Sequence, residues 1–365
     1  MNKFLLLSLL ACIWTLSGHA QQVPLQIKAA GNQVDQAVFE IVEVVDARKK
    51  SGSLGRVYTG AGIAAQATLS GGLEQALQTY FQEAINPTGK ATQIQIKVEE
   101  LSIAEKTGAR NTVAGELTMK FNYAVKGSFE PVHLVGFEGG LKYQRSLNRT
   151  DMVEGVVKQA LDKSIAFFDE WIRSQSASDN RLAKSVRLQL MDHPGGANKD
   201  TVFYSEDRPL VWGDFTDRPS SRSSFNAAIF TSFSMEGNPY VEDGEIVLPV
   251  EIKVYMLPGS SWVRGSGQND YSLNHEQRHF DLVKVVADRL RDRLQHMELD
   301  PEDYDGSLNQ AFFDAYREMN QWQEIYDAQT QHGLKRNAQE NWNLALDQAL
   351  KGEWAGIEQL VQKRK

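Results

Sequence analysis

Alternating apolar and polar residues fill much of the first half of the chain, whereas its last quarter repeats apolar residues at helical spacing. Residues 38–47 are rich in Val, Ile and Phe and predict a strand. The Gly- and Ser-rich stretch over 51–72 predicts a mobile loop. Leu73, Ala76, Leu77, Tyr80, Phe81 and Ala84 then recur with the period of a helix. Three segments of period two follow, at 94–103, 113–125 and 132–143. Asp151 is an expected N-cap for a helix to about residue 172, with Val153, Val157, Leu161, Ile165 and Phe168 along one side.

Residues 174–180 lack large apolar side chains and predict a linker. Short strands are expected at 186–190, 201–204, 227–235 and 246–256, and from Ser272 the pattern is helical to the end. The expected fold class is therefore α+β, with an accessory α+β domain over 24–174, a linker over 175–182 and a second domain over 183–365. No segment after the first twenty residues is apolar enough to span a membrane.

Charge narrows the partners. The chain carries 39 Lys and Arg against 47 Asp and Glu, a net charge of -8. A phosphate-backbone binder would show a basic excess, so no nucleic-acid partner is expected. Residues 1–20 predict an export signal: Lys3, an apolar run over 4–16, then Gly18-His19-Ala20 as a cleavage site. The mature chain would start near Gln21 and be periplasmic or secreted, the alternative being a lipoprotein anchored through Cys12. Cys12 is the only cysteine, so a chain cleaved after Ala20 has no disulfide, cysteine nucleophile or thiolate ligand. A metal would have to rest on His, Asp or Glu.

Such a set is present. His275-Glu276-Gln277-Arg278-His279 is an HExxH motif in a helical setting, and Val283, Val286, Ala287, Leu290 and Leu294 continue its apolar side. Residues four apart share a helix face, so both imidazoles can reach one ion. Zinc so held lowers the pKa of a coordinated water toward about 7, and Glu276 is the expected general base. Arg278 is expected to point into solvent. The first domain offers no comparable chemistry. Its His133 has no partner at metal spacing, and Gly52-Ser53-Leu54-Gly55-Arg56 matches neither a P-loop nor a dinucleotide fingerprint.

His275-Glu276-Gln277-Arg278-His279-Phe280-Asp281 resembles the HEQxHFD signature of a bacterial domain of unknown function described as a predicted secreted zinc-dependent protease. Leu210-Val211-Trp212-Gly213-Asp214-Phe215, Ser261-Trp262-Val263 and Tyr326-Asp327-Ala328-Gln329-Thr330-Gln331-His332-Gly333, followed by Gln339 and Trp342, resemble further motifs of that family. The resemblance spans about 205–350 and implies a zincin-like fold with a Zn2+ site. A third ligand is then required. His332, at the expected end of a helix over 308–330, is the first candidate, with Glu318, Glu324 and Asp327 as carboxylate alternatives. Tyr326 is a candidate donor to a developing oxyanion and Asp327 a candidate partner for a ligand imidazole. His193 reads as a turn residue, and His296 lies too far along the active helix to join. Phe312, Phe313, Tyr316, Trp322 and Trp342 read as helix-packing residues. The expected function is an exported zinc metallopeptidase acting on a peptide or protein, with an envelope partner for the N-terminal domain. A non-catalytic envelope binding or assembly protein is the alternative.

Overall fold

The computed structural model describes residues 21–219 and 221–362; the expected export signal and Cys12 lie outside them. The fold is α+β, 36% helical and 34% strand. The chain divides into two compact units, one ending at Gln175 and one beginning at Ser176.

The first unit is one seven-stranded sheet with two helices. Its elements are β1 (Gln22–Leu25), β2 (Val34–Asp46), β3 (Gly55–Tyr58), β4 (Ala64–Leu69), α1 (Leu73–Ala84), β5 (Ile85–Thr107), β6 (Thr112–Val125), β7 (Val132–Ser146) and α2 (Asp151–Gln175). The strand order is β1-β4-β3-β5-β6-β7, with β2 also paired to β5. β2 and β5 run parallel because α1 carries the chain back between them, whereas β5, β6 and β7 form an antiparallel meander. Period two puts Ile94, Ile96, Val98, Leu117, Met119 and Phe121 into the core, against Phe81 and Phe168 from the helices. Polar residues between them face solvent, as sheets covered on one face require.

The Gly-rich stretch is not a mobile loop. It folds into β3 and β4, and Leu54 donates to the Ala67 carbonyl while its own carbonyl accepts from Ile103. Gly55 makes this approach: its φ is +124° and a Cβ there would meet the Ile103 oxygen at 2.1 Å. Glu105 and Arg145, both with fully buried side chains, tie β5 to β7 at 2.7 Å. Glu105 also accepts from Tyr143 Oη and from the Tyr58 backbone N–H, and Arg145 donates to the Tyr58 carbonyl.

The second unit opens with a 3-10 turn, Asn180–Leu182, capped by the Asp179 carboxylate. The predicted linker is bound into this unit, since Ala177 O accepts from Gly244 N and Leu182 is buried. The sheet comprises β8 (Ser185–Met191), β9 (Val202–Phe203), β11 (Thr231–Gly237), β12 (Tyr240–Glu242) and β13 (Glu245–Met256), with β10 (Ala227–Ala228) and β14 (Trp262–Val263) forming a separate pair. β13 is the hub: β8 pairs with it in parallel, and β9, β11 and β12 antiparallel. The single strand expected over 227–235 is two strands, because Phe230 leaves the ladder and donates to Ser261 Oγ. The helices are α3 (Asp270–Gln295), α4 (Tyr304–Thr330), α5 (Arg336–Ala349) and α6 (Ala355–Gln362). Phe280, Val283, Val286, Leu290 and Leu294 of α3 join Met319, Trp322 and Ile325 of α4 in one core. Trp342 is fully buried and Phe312 packs on Phe233, as expected, but Phe313 and Tyr316 are exposed.

Candidate metal centre

Asn269 starts α3 by accepting the Ser272 backbone N–H, which places residues 275, 276 and 279 in its second and third turns. The motif residues around the histidines hold the helix in place. Gln277 Oε1 accepts the Leu210 backbone N–H at 2.8 Å, joining α3 to the Leu210–Phe215 segment. Asp281 accepts from Gln277, Tyr204 and Arg278. Burial pushes its carboxyl up, opposed by these hydrogen bonds and the Arg278 charge. Arg278 is not solvated: its side chain is 13% exposed and clamped between Asp281 at 2.9 Å and Asp347 of α5 at 2.7 Å. α5 packs against this side of α3, and the two carboxylates neutralise the cation away from the imidazoles.

The histidines themselves converge on one carboxylate oxygen. His275 Nε2 lies 3.3 Å, and His279 Nε2 3.1 Å, from Asp327 Oδ1. A ligand atom from each of the three residues lies within 4.8 Å of the others. Bonds of about 2.0–2.1 Å at tetrahedral angles set neighbouring ligand atoms about 3.3 Å apart, so these edges suit a small divalent cation.

The far side of each ring makes the same case. His275 Nδ1 faces Gln339 Oε1 at 2.9 Å, and His279 Nδ1 faces Gln323 Oε1 at 2.8 Å. Gln339 Nε2 is committed to Asn343 Oδ1, which leaves its carbonyl oxygen for His275. Each imidazole thus has an acceptor on both sides. A neutral ring that donates from Nδ1 presents a bare Nε2 lone pair to the carboxylate, an arrangement that a cation between them satisfies. Burial pulls the His279 pKa down, but hydrogen bonding and attraction from Asp327 outweigh this and hold it above its ordinary value. Burial likewise pushes the Asp327 carboxyl up, and the hydrogen bonds from His275 and His279 override it, leaving it well below the usual carboxylate range. A bound cation would replace the shared protons.

Glu276 is buried beside this cluster. Desolvation raises its pKa against the lowering pull of His279 and His275, and it accepts a hydrogen bond from the Ile229 backbone N–H. That donor is available because Ile229 follows β10 where the chain leaves its strand.

His332 sits one step outward. Its Nδ1 is 3.3 Å from Asp327 Oδ2, the other oxygen of the same carboxylate, and its ring packs against Phe225. α4 ends in left-handed residues, Gln331 at φ 51° and His332 at φ 52°, and the His332 N–H returns to the Asp327 carbonyl. Gly333 follows at φ +78°, where a Cβ would lie 3.3 Å from His275 Cγ. Tyr271 Oη donates to the Gly333 carbonyl, fastening this turn to the start of α3. Tyr326 is fully buried behind His275, its hydroxyl 2.9 Å from Nδ1 and hydrogen-bonded to Gln339. Glu318 pairs with Arg289, and His296 caps the far end of α3. His193 contacts Glu251.

No curated protein matches this chain. Among solved structures, the chain is similar to protein XCC0632 from Xanthomonas campestris, of family DUF330, at 12% identity and a TM-score of 0.27, covering 42% of this chain and 94% of that one. The family model described as "Bacterial protein of unknown function (DUF922)" matches residues 269–333. That stretch runs from the cap of α3 through both histidines and Asp327 to Gly333, and it is this segment of the chain that is similar to DUF922.

Proposed function

We propose that the second unit is a zinc-dependent hydrolase, and that its substrate is a peptide or protein. The observation that carries this reading is the convergence of His275 Nε2 and His279 Nε2 on one carboxylate oxygen of Asp327, next to a buried glutamate. His275, His279 and Asp327 would hold the ion, with His332 against the outer oxygen of Asp327. A bound divalent ion would supply Lewis acidity, polarising a carbonyl and acidifying water. Glu276 accepts the proton released when water attacks the carbonyl and returns it to the leaving amine. Its raised pKa suits both halves of that transfer. Gln339 and Gln323 orient the imidazoles through Nδ1. Tyr326, aimed at His275 and Gln339, acts as a positioning residue in this reading rather than as a donor to substrate. The expected export signal would put this activity outside the cytoplasm, with Gln21 as the expected mature N-terminus.

The test is metal analysis and peptide-library hydrolysis by the purified mature chain and its Glu276→Gln variant. About one zinc per chain in both proteins, with hydrolysis abolished only in the variant, is the expected outcome. Binding should weaken as pH falls, because protons compete for the imidazoles. Zinc binding with no hydrolysis of any peptide by the wild type would instead indicate a binding protein.

A further inference from the structure

A cleft of about 1050 Å³ lies in the first unit, on the solvent face of its sheet. It is bounded by the Gly52–Arg56 segment that the sequence singles out for its glycines. β5 and β6 form its floor. Lys97 stands between the fully buried Ile96 and Val98, and Lys120 between Met119 and Phe121, so both lysines point away from the core. Arg48, Lys49, Lys50 and Arg56 supply the wall.

Six cations therefore line this cleft, against the two acids Glu99 and Glu100, in a chain whose net charge is -8. Two of the six are engaged: Arg48 is held by Asp46 and by the Ser53 and Leu101 carbonyls, and Lys120 is 3.2 Å from Glu99. The other four, Lys49, Lys50, Arg56 and Lys97, make no ion pair among the described residues. Unpaired cations gathered on concave walls raise the local concentration of anions. The wall is also held in place. Ser53 Oγ accepts from Gly55 N and donates to Gln66, and Leu54 is bonded on both sides to β4 and β5.

We propose that this cleft binds a ligand bearing phosphate groups, with Arg56 and Lys97 as principal contacts and Lys49 and Lys50 at its rim. The guanidinium of Arg56 suits a bidentate grip on phosphate, and the lysines add point charges. The cleft volume accommodates more than one phosphate group.

Calorimetric titration of the full mature chain with inorganic pyrophosphate, and co-sedimentation with phosphatidylglycerol vesicles against phosphatidylcholine vesicles, test the assignment. The controls are the paired variant Arg56→Glu/Lys97→Glu and the exposed reversal Lys142→Glu, which lies outside the cleft. Saturable binding of pyrophosphate identifies a soluble phosphate ligand, and binding of phosphatidylglycerol vesicles alone identifies a lipid headgroup. Either supports the proposal if the paired variant weakens binding by about tenfold or more while Lys142→Glu does not. Binding should also weaken with added salt. All four substituted or rim cations are exposed, so circular dichroism is expected to show an unchanged fold. The proposal is overturned if neither probe binds, or if the paired variant binds as tightly as the wild type.

Discussion

Asp327 illustrates how far individual residues decide the chemistry of the second unit. It meets both imidazoles with one oxygen and His332 with the other. In the proposed site it is a direct ligand, so Asp327→Ala should lose nearly all zinc affinity in a chelator competition. Gln339→Ala should cost about 10- to 100-fold, the usual loss when the partner that orients a ligand imidazole is removed. His332→Ala should fall in the range of Gln339→Ala or milder, and His296→Ala should match the wild type. If His332→Ala abolished binding while Asp327→Ala did not, the ligand set would be three histidines. The pair His275 and His279 is legible in the sequence because helical spacing alone places them together. The choice between Asp327 and His332 is not, because it depends on where α4 stops and turns left-handed. Gln323 and Gln339 carry no ligand pattern at all; only the four-residue step from Gln323 to Asp327 hints that both share a helix face.

Among the secondary elements, the long strands and helices follow directly from their periodicity, and the exceptions are physical. β3 and β4 are short, glycine-punctuated strands whose existence depends on β5 extending past β2 to offer them an edge. No local pattern reveals that. The join between β5 and β7 is similarly invisible, since Glu105 and Arg145 read as ordinary polar positions in an alternating strand. Their burial makes them sensitive to unequal change. Arg145→Met leaves Glu105 without its cation in the interior and should lower stability by about 3–5 kcal/mol in urea unfolding. Glu105→Leu combined with Arg145→Met removes both charges and should restore much of that loss. Equal destabilisation by the single and double variants would mean the pair contributes packing rather than charge compensation.

At the scale of the whole molecule, the motifs and the folding unit have different limits. The recognisable motifs begin near residue 205, but β8 and β9 precede them and pair with the hub strand β13. A fragment from Ser176 to the C-terminus should therefore be monodisperse by size-exclusion chromatography and bind zinc. One from residue 205 exposes the edge of β13 and should aggregate. Monodisperse behaviour of the shorter fragment would show that β8 is dispensable. The order of the elements also has a consequence for biogenesis. The atoms that build the candidate centre arrive in sequence from α3, α4 and α5, so Gln339 leaves the ribosome after both histidines and Asp327. No partial chain that ends before α5 holds His275 in its ligand orientation. In the proposed site, metal capture is thereby coupled to synthesis of α5, and a nascent chain that ends before it carries no finished centre.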